Sequence, residues 1–410
     1  MQEKELIPHL FRTEYSKLVA VLCKVFGLTH IELAEDIVSD TFLLASESWE
    51  KNGIPDKQLA WLYTVAKNRT RDYLRRNKTL QEKILPNLRE DQEESYEIGL
   101  DMSEQNIQDS MLRMIFAVCH PRLSKENQVI LSLRILCGFG IEEIAHALLA
   151  QKASINKRLY RAKKSLRDEK VDLVFPTGDI SERLDSVLTS LYLLFNEGYY
   201  SNSGAENFPI KKDLCLEAMR LVLLLLQHKG TARPQVFALL ALMCFQASRL
   251  EARRGSSGEL LLYEEQNRSL WNQELIQKGE DYLNLSSGGD NLSKYHLEAA
   301  IAYWHTVESD EEKWENILQL YNYLLQLEYS PITALNRTYA LAKANKPEEA
   351  LKLAKKLEVP QKHLYHALLG DLYIMCGDKK EGKAQWEMAF SLAKSQEEKN
   401  LIMRKIQSLN

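Results

Sequence analysis

Three observations predict an all-α protein. Apolar residues recur at spacings of three and four almost throughout the chain. No stretch sustains the alternation of a half-buried strand, and no Asn-Gly pair marks a hairpin turn. The apolar share of 45% and charged share of 27% are those of an ordinary globular protein. The 410 residues suggest roughly two to four domains. With a net charge of −4, no global positive field draws the chain to nucleic acid, so any such contact must come from local basic clusters.

The same composition narrows the compartment and the chemistry. The segments 221–226 and 236–245 are the longest apolar runs, and both fall short of the ~20 residues of a membrane span. The opening MQEKELIPHL lacks the basic-then-apolar layout of a signal peptide. A cytoplasmic protein with no membrane partner is expected. Cys23, Cys119, Cys137, Cys215, Cys244 and Cys376 show no C-x-x-C spacing, so buried free thiols and no metal site are expected.

Taken in order, residues 1–80 are helical and end in a basic run. AEDIVSDTFLLASESW (34–49) is amphipathic: Ile37, Val38, Thr41, Phe42 and Ala45 can face inward, with Glu35, Asp36, Ser39 and Asp40 as an acidic outer edge. A loop containing Gly53 and Pro55 leads to WLYTVAKNRTRDYLRRNK (61–78). There Lys67, Arg69, Arg71, Arg75, Arg76 and Lys78 lie beside aromatic residues, a pairing suited to a phosphate backbone and to unstacked bases. Residues 81–107, acidic and polar, read as a flexible linker.

Residues 108–174 are helical again. Ser124 is placed to cap a helix that Gly138 and Gly140 interrupt; a short helix follows over 141–148 and a longer one over about 153–167. On the last helix Ile155, Leu159, Ala162 and Leu166 share one face. Ser154, Lys157, Arg161 and Lys164 lie opposite, with Arg158 on the flank. This is a helix-turn-helix pattern, whose second helix offers one side to the major groove.

Two motifs carry a resemblance. The acidic AED-x-x-x-D-T-F helix, followed by W-L-x-x-V-A-K-N-x-x-x-D-x-x-R, resembles region 2 of extracytoplasmic-function (ECF) sigma factors. G-x-x-x-x-E-I-A with a turn and R-L-x-R-A-K-x-x-L-R resembles their region 4, although the turn 147–154 has no glycine. The resemblance implies that Asp36, Asp40, Thr41 and Phe42 belong to a helix that binds core RNA polymerase. It implies that Asn68, Arg69, Asp72, Arg75 and Arg76 face the minus 10 element of promoter DNA. Ser154, Lys157, Arg158, Arg161 and Lys164 would then read the minus 35 element.

The chain continues well past the second motif, as residues 180–290 and 291–410. Strings such as LYLLFNEGYY (191–200), LLYEEQNRSLW (261–271) and SPITALNRTYALA (330–342) resemble an ECF group with a helical extension ending in tetratricopeptide-like repeats. Thr338, Leu341, Asn345, Ala350 and Ala354 match Gly370, Tyr373, Gly377, Gly382 and Trp386 about 32 residues later. Asn196, Glu197, Arg249, Arg253, Glu264, Gln266, Asn267 and Arg268 are polar residues beside apolar runs; converging, they would hold a small ligand or a protein partner, and otherwise they form structural ion pairs and caps. No nucleophile–base pair or phosphate loop stands out, so neither catalysis nor a cofactor is expected. The expected role is an alternative sigma factor whose extension regulates. The alternative is a helix-turn-helix regulator with a helical sensor domain.

Overall fold

The computed structural model describes residues 3–76, 100–148, 150–176, 178, 180–199, 208–255, 259–288, 292–308, 312–359 and 362–409. The expected linker is therefore described only from Leu100 onward, and Lys78 lies outside the described residues. Among the described residues the regular structure is helical, apart from one isolated bridge between Arg254 and Leu260. No helix among them is long and apolar enough to cross a membrane. The chain divides into two compact units, Met1–Leu194 and Phe195–Asn410.

In the first unit, α1 (Glu3–Phe26), α2 (Ile31–Asn52) and α3 (Gln58–Arg76) pack around Tyr15, Leu18, Leu22, Ile31 and Leu62, all fully buried. Gly27 (φ 82°) makes the turn into α2 and Gly53 (φ 81°) the turn out of it, in the left-handed region where a side chain is strained. Helix α4 (Glu104–Val118) packs on α1, its N-terminus capped by the Ser103 side chain. Ser124 likewise caps α5 (Lys125–Leu131) by accepting from the Asn127 N–H. That helix widens into a π turn over Ser132–Leu136, closed by Cys137 N–H to the Ser132 carbonyl at 3.0 Å. Helices α6 (Ile141–Ala147) and α7 (Lys152–Asp168) follow, then α8 (Ser181–Tyr199), in which the two units meet along the chain.

The second unit contains α9 (Phe208–Leu226), α10 (Pro234–Ala247), α11 (Gln273–Ser286), α12 (Lys294–Thr306), α13 (Lys313–Leu327), α14 (Pro331–Lys343), α15 (Pro347–Ala354), α16 (Lys362–Met375), α17 (Lys379–Leu392) and α18 (Gln396–Gln407). An irregular strap, 259–272, joins α10 to α11 through short 3-10 turns. One pair of positions matched in the sequence shares a local geometry. Asn345 (φ 62°) and Gly377 (φ 86°) both turn left-handed after a helix. The next residue then reaches back five positions, Lys346 N–H to Leu341 and Asp378 N–H to Tyr373. Trp386 lies against Gly370, where a Cβ would meet the indole at 2.2 Å, so only glycine admits that ring.

Candidate nucleic-acid interface

On α2 the inner face buries Ile37, Val38, Thr41, Phe42, Ala45 and Trp49. Phe42 meets Phe11 edge-on at 5.0 Å, and the Thr41 hydroxyl donates to the Ile37 carbonyl at 2.8 Å. Thr41 and Phe42 thus hold α2 against α1, while Asp36 and Asp40 are exposed. Between and beyond these acids stand Ser39, Leu43 and Glu47, spaced to form one outward stripe. Leu43 was not singled out in the sequence; a leucine 59% exposed within a charged stripe is the signal the structure adds.

On α3, Leu62, Ala66, Thr70 and Leu74 are buried. Asn68, Asp72, Arg75 and Arg76 are exposed, and Arg69 is half-buried. Arg69 reaches across to Asp40 at 3.0 Å, and Arg75 pairs with Asp72 at 3.1 Å. The acidic stripe of α2 and the basic face of α3 therefore adjoin. Trp61 sits half-exposed against the buried Trp49, ring centroids 5.4 Å apart.

Helix α7 buries Ile155, Leu159, Ala162 and Leu166 and exposes Ser154, Lys157, Arg161 and Lys164. Arg158 is half-buried, 4.0 Å from Glu126. Tyr160, 63% exposed, stands on the same outer face and had no sequence signal beyond its register with Lys157 and Lys164. The turn lacking glycine closes with the Ala150 N–H on the Ala145 carbonyl at 2.9 Å, and α7 starts after Gln151.

Glu35 departs from the sequence expectation. Instead of lying on the outer edge it is 4% exposed. Its carboxylate accepts from the Tyr15 hydroxyl at 2.9 Å, from Arg134 at 2.9 Å and from Lys163. Arg134 belongs to the π turn and Lys163 to α7, so one buried carboxylate on α2 ties the first helices to the helix-turn-helix. Burial, and next the charge of Glu35, keep the Tyr15 phenol well above its ordinary pKa, so it stays a donor. Arg167 adds a bond to Glu32 at 2.6 Å, Lys24 one to Asp109 at 3.1 Å, and Arg12 pairs with Glu143. Burial pushes Glu32 upward, but the Arg167 hydrogen bond, a backbone bond and nearby positive charge outweigh it and hold the carboxyl below its usual range.

In the second unit, the polar residues singled out in the sequence serve several different contacts. Arg249 and Arg253 reach Tyr199, Glu264 pairs with Lys343 at 2.9 Å, Asn267 caps a 3-10 turn, and Arg268 lies over Trp271. Among the described residues no group of three or more His, Cys, Asp or Glu is placed to hold a metal.

An acidic stripe beside a basic helix, joined to a helix-turn-helix with an outward basic face, defines a multidomain transcription protein. Residues 10–79 match Sigma-70 region 2, and residues 183–287 match a family of unknown function (DUF6596). An uncharacterized protein of Rhizobium meliloti is 32% identical over 93% of this chain and 90% of its own length. The ECF RNA polymerase sigma-E factor of Haemophilus influenzae is 29% identical over 33% of this chain and 72% of its own length. The RNA polymerase sigma factor YlaC of Bacillus subtilis is 25% identical over 41% of this chain and 93% of its own. The chain belongs to the ECF sigma factors, as an alternative RNA polymerase sigma factor carrying an extra C-terminal domain, and the Rhizobium protein is similar to it over nearly its whole length.

Proposed function

We propose that Asp36, Asp40 and Leu43 on α2 dock on core RNA polymerase, with Thr41 and Phe42 positioning them from below. Asn68, Arg69, Asp72, Arg75 and Arg76 on α3 then face the minus 10 element. Ser154, Lys157, Arg158, Arg161 and Lys164, with Tyr160, face the minus 35 element. The supporting observation is that both basic faces and the acidic stripe point outward, while Lys163 and Arg167 on the side of α7 are consumed by α2. The protein acts by binding, and its tetratricopeptide-like extension regulates through a partner or a small ligand.

The contacts of Glu35 set a condition on this function. The names of the two promoter elements imply about 25 base pairs between them, roughly 85 Å of duplex. Two modules held together by Glu35 and the flanking ion pairs do not span that distance. The chain from Arg76 to Leu100 reaches roughly 80 Å when fully extended, so it permits separation. The Glu35-linked form is therefore a resting form that engagement of polymerase opens.

Multi-round transcription with sigma-free core polymerase tests the reading, using full-length protein on genomic fragments that include its gene's own upstream region. Discrete new transcripts are expected, weakened at least tenfold when Lys157 and Arg161 are both changed to Ala. No transcripts, together with no co-elution with core in gel filtration, would overturn it.

A further inference from the structure

The second unit holds a half-open cavity of about 370 Å³, within the size range of small-molecule sites. Its wall comes from the strap and from α12, α13, α14, α16, α17 and α18, so residues far apart in the chain converge on it. Five rings line it: Tyr263, His305, Trp314, Tyr339 and Trp386. They are oriented by one another. His305 meets Tyr263 at 5.2 Å and Trp314 at 5.8 Å, and Trp314 meets Tyr339 edge-on at 5.9 Å. The Trp386 N–H donates to Asp371 at 3.0 Å.

Charge on this wall is balanced. Lys343 pairs with Glu264 at 2.9 Å and stands 5.4 Å from the Trp314 ring centre. Lys405 grips both oxygens of Asp371 at 2.7 and 2.8 Å and stands 5.6 Å from the Trp386 centre. Two ammonium groups thus face two carboxylates. His305 is held neutral by burial and by the positive charges of Arg249 and Lys313. Its Nδ1 is buried and has no hydrogen-bond partner, a state that native interiors rarely leave unanswered.

We propose that this cavity is a receptor site for a small aromatic zwitterion of the aromatic amino-acid type. The rings supply stacking faces for a flat body. A ligand carboxylate is met by Lys343 or Lys405, and a ligand ammonium by Glu264 or Asp371. A ligand of net charge would leave one wall charge uncompensated in a partly dehydrated space, which is costly. The site joins the strap to the repeat hairpins, so its filling couples the two parts of the extension. Binding is a property of the second unit, and the claim stands or falls separately from the sigma assignment.

Isothermal titration of the full-length protein tests it with L-tryptophan, L-tyrosine and L-kynurenine as probes. Tryptamine, indole-3-acetate and N-acetyl-L-tryptophanamide serve as analogues lacking one or both charges. At least one zwitterion is expected to bind below 1 mM. The three analogues are expected to bind at least tenfold more weakly, and Lys343→Met and Asp371→Asn to weaken the zwitterion at least fivefold. If either variant melts early, the analogue series on the unaltered protein decides. Failure of all three zwitterions, or equal binding by tryptamine or indole-3-acetate, overturns the proposal. So does equal binding by N-acetyl-L-tryptophanamide, which would mean that the site reads an aromatic residue within a polypeptide.

Discussion

The two units place their buried charges differently. In the first, Glu35 is sealed between Arg134 and Lys163, and Glu32–Arg167 and Arg12–Glu143 lie at the same junction. Each pair joins helices from opposite sides of the segment 77–99, so each is a contact that separation of the modules must break. In the second, Glu264–Lys343 and Asp371–Lys405 ring a cavity and remain open to it. Ion pairs at a junction gate a movement; ion pairs on a cavity wall select what enters. The distinction follows from what surrounds the charges: packed protein in one case, accessible space between aromatic rings in the other.

The junction is the place to break this comparison with the largest effect. Glu35→Gln leaves Arg134 and Lys163 buried without their counter-charge, which costs about 3–5 kcal/mol for a pair of this kind. In urea unfolding the loss is expected in the first unit, with the second unit's transition unmoved. The same variant is expected to reach half-maximal transcription at a lower core concentration, because the resting form is weakened. A variant less stable and also less responsive to core would show that Glu35 is structural only.

How much of this was legible beforehand differs between the regions. The helical class and the inner faces of α2 and α7 follow from apolar spacing, and Ile155, Leu159, Ala162 and Leu166 are all buried. Glu35 was not legible: its spacing fits the acidic outer edge as well as the inner face. The cations that draw it inward lie 99 and 128 residues away. The cavity was only half legible. Glu264 stands among the polar residues beside apolar runs, but nothing local singles out Trp314, Tyr339 or Lys405. Their convergence depends on how the strap lies across the hairpins, and no local pattern encodes that.

Leu43 sharpens the comparison from the outside. It is exposed on the stripe with Asp36 and Asp40. Leu43→Asp is expected to leave stability within about 0.5 kcal/mol, as for exposed surface positions. Its affinity for core polymerase should fall about tenfold, near 1.4 kcal/mol, in a fluorescence titration. Unchanged affinity would remove Leu43 from the docking surface and leave the acids to carry it.

The smallest effect concerns the cavity wall. Burial first, then Arg249 and Lys313, lower the His305 pKa to about 3. Tyr263 packs on the ring and Glu264 flanks the same wall. The unfolded chain takes up a proton near the ordinary value of about 6.5, while the folded chain does not until far lower. Stability of the second unit is therefore flat above pH 6.5 and declines as pH falls toward 3. The decline is about 1 kcal/mol between pH 6.5 and 5.5, before most carboxylates begin to titrate. His305→Phe keeps a ring and, because Tyr263 donates to the His305 backbone carbonyl, also keeps that bond. Melting curves at the two pH values should show a reduced decline in this variant. An equal decline in both proteins would assign the acid sensitivity to another group, with His296, whose pKa burial also lowers, as the next to examine.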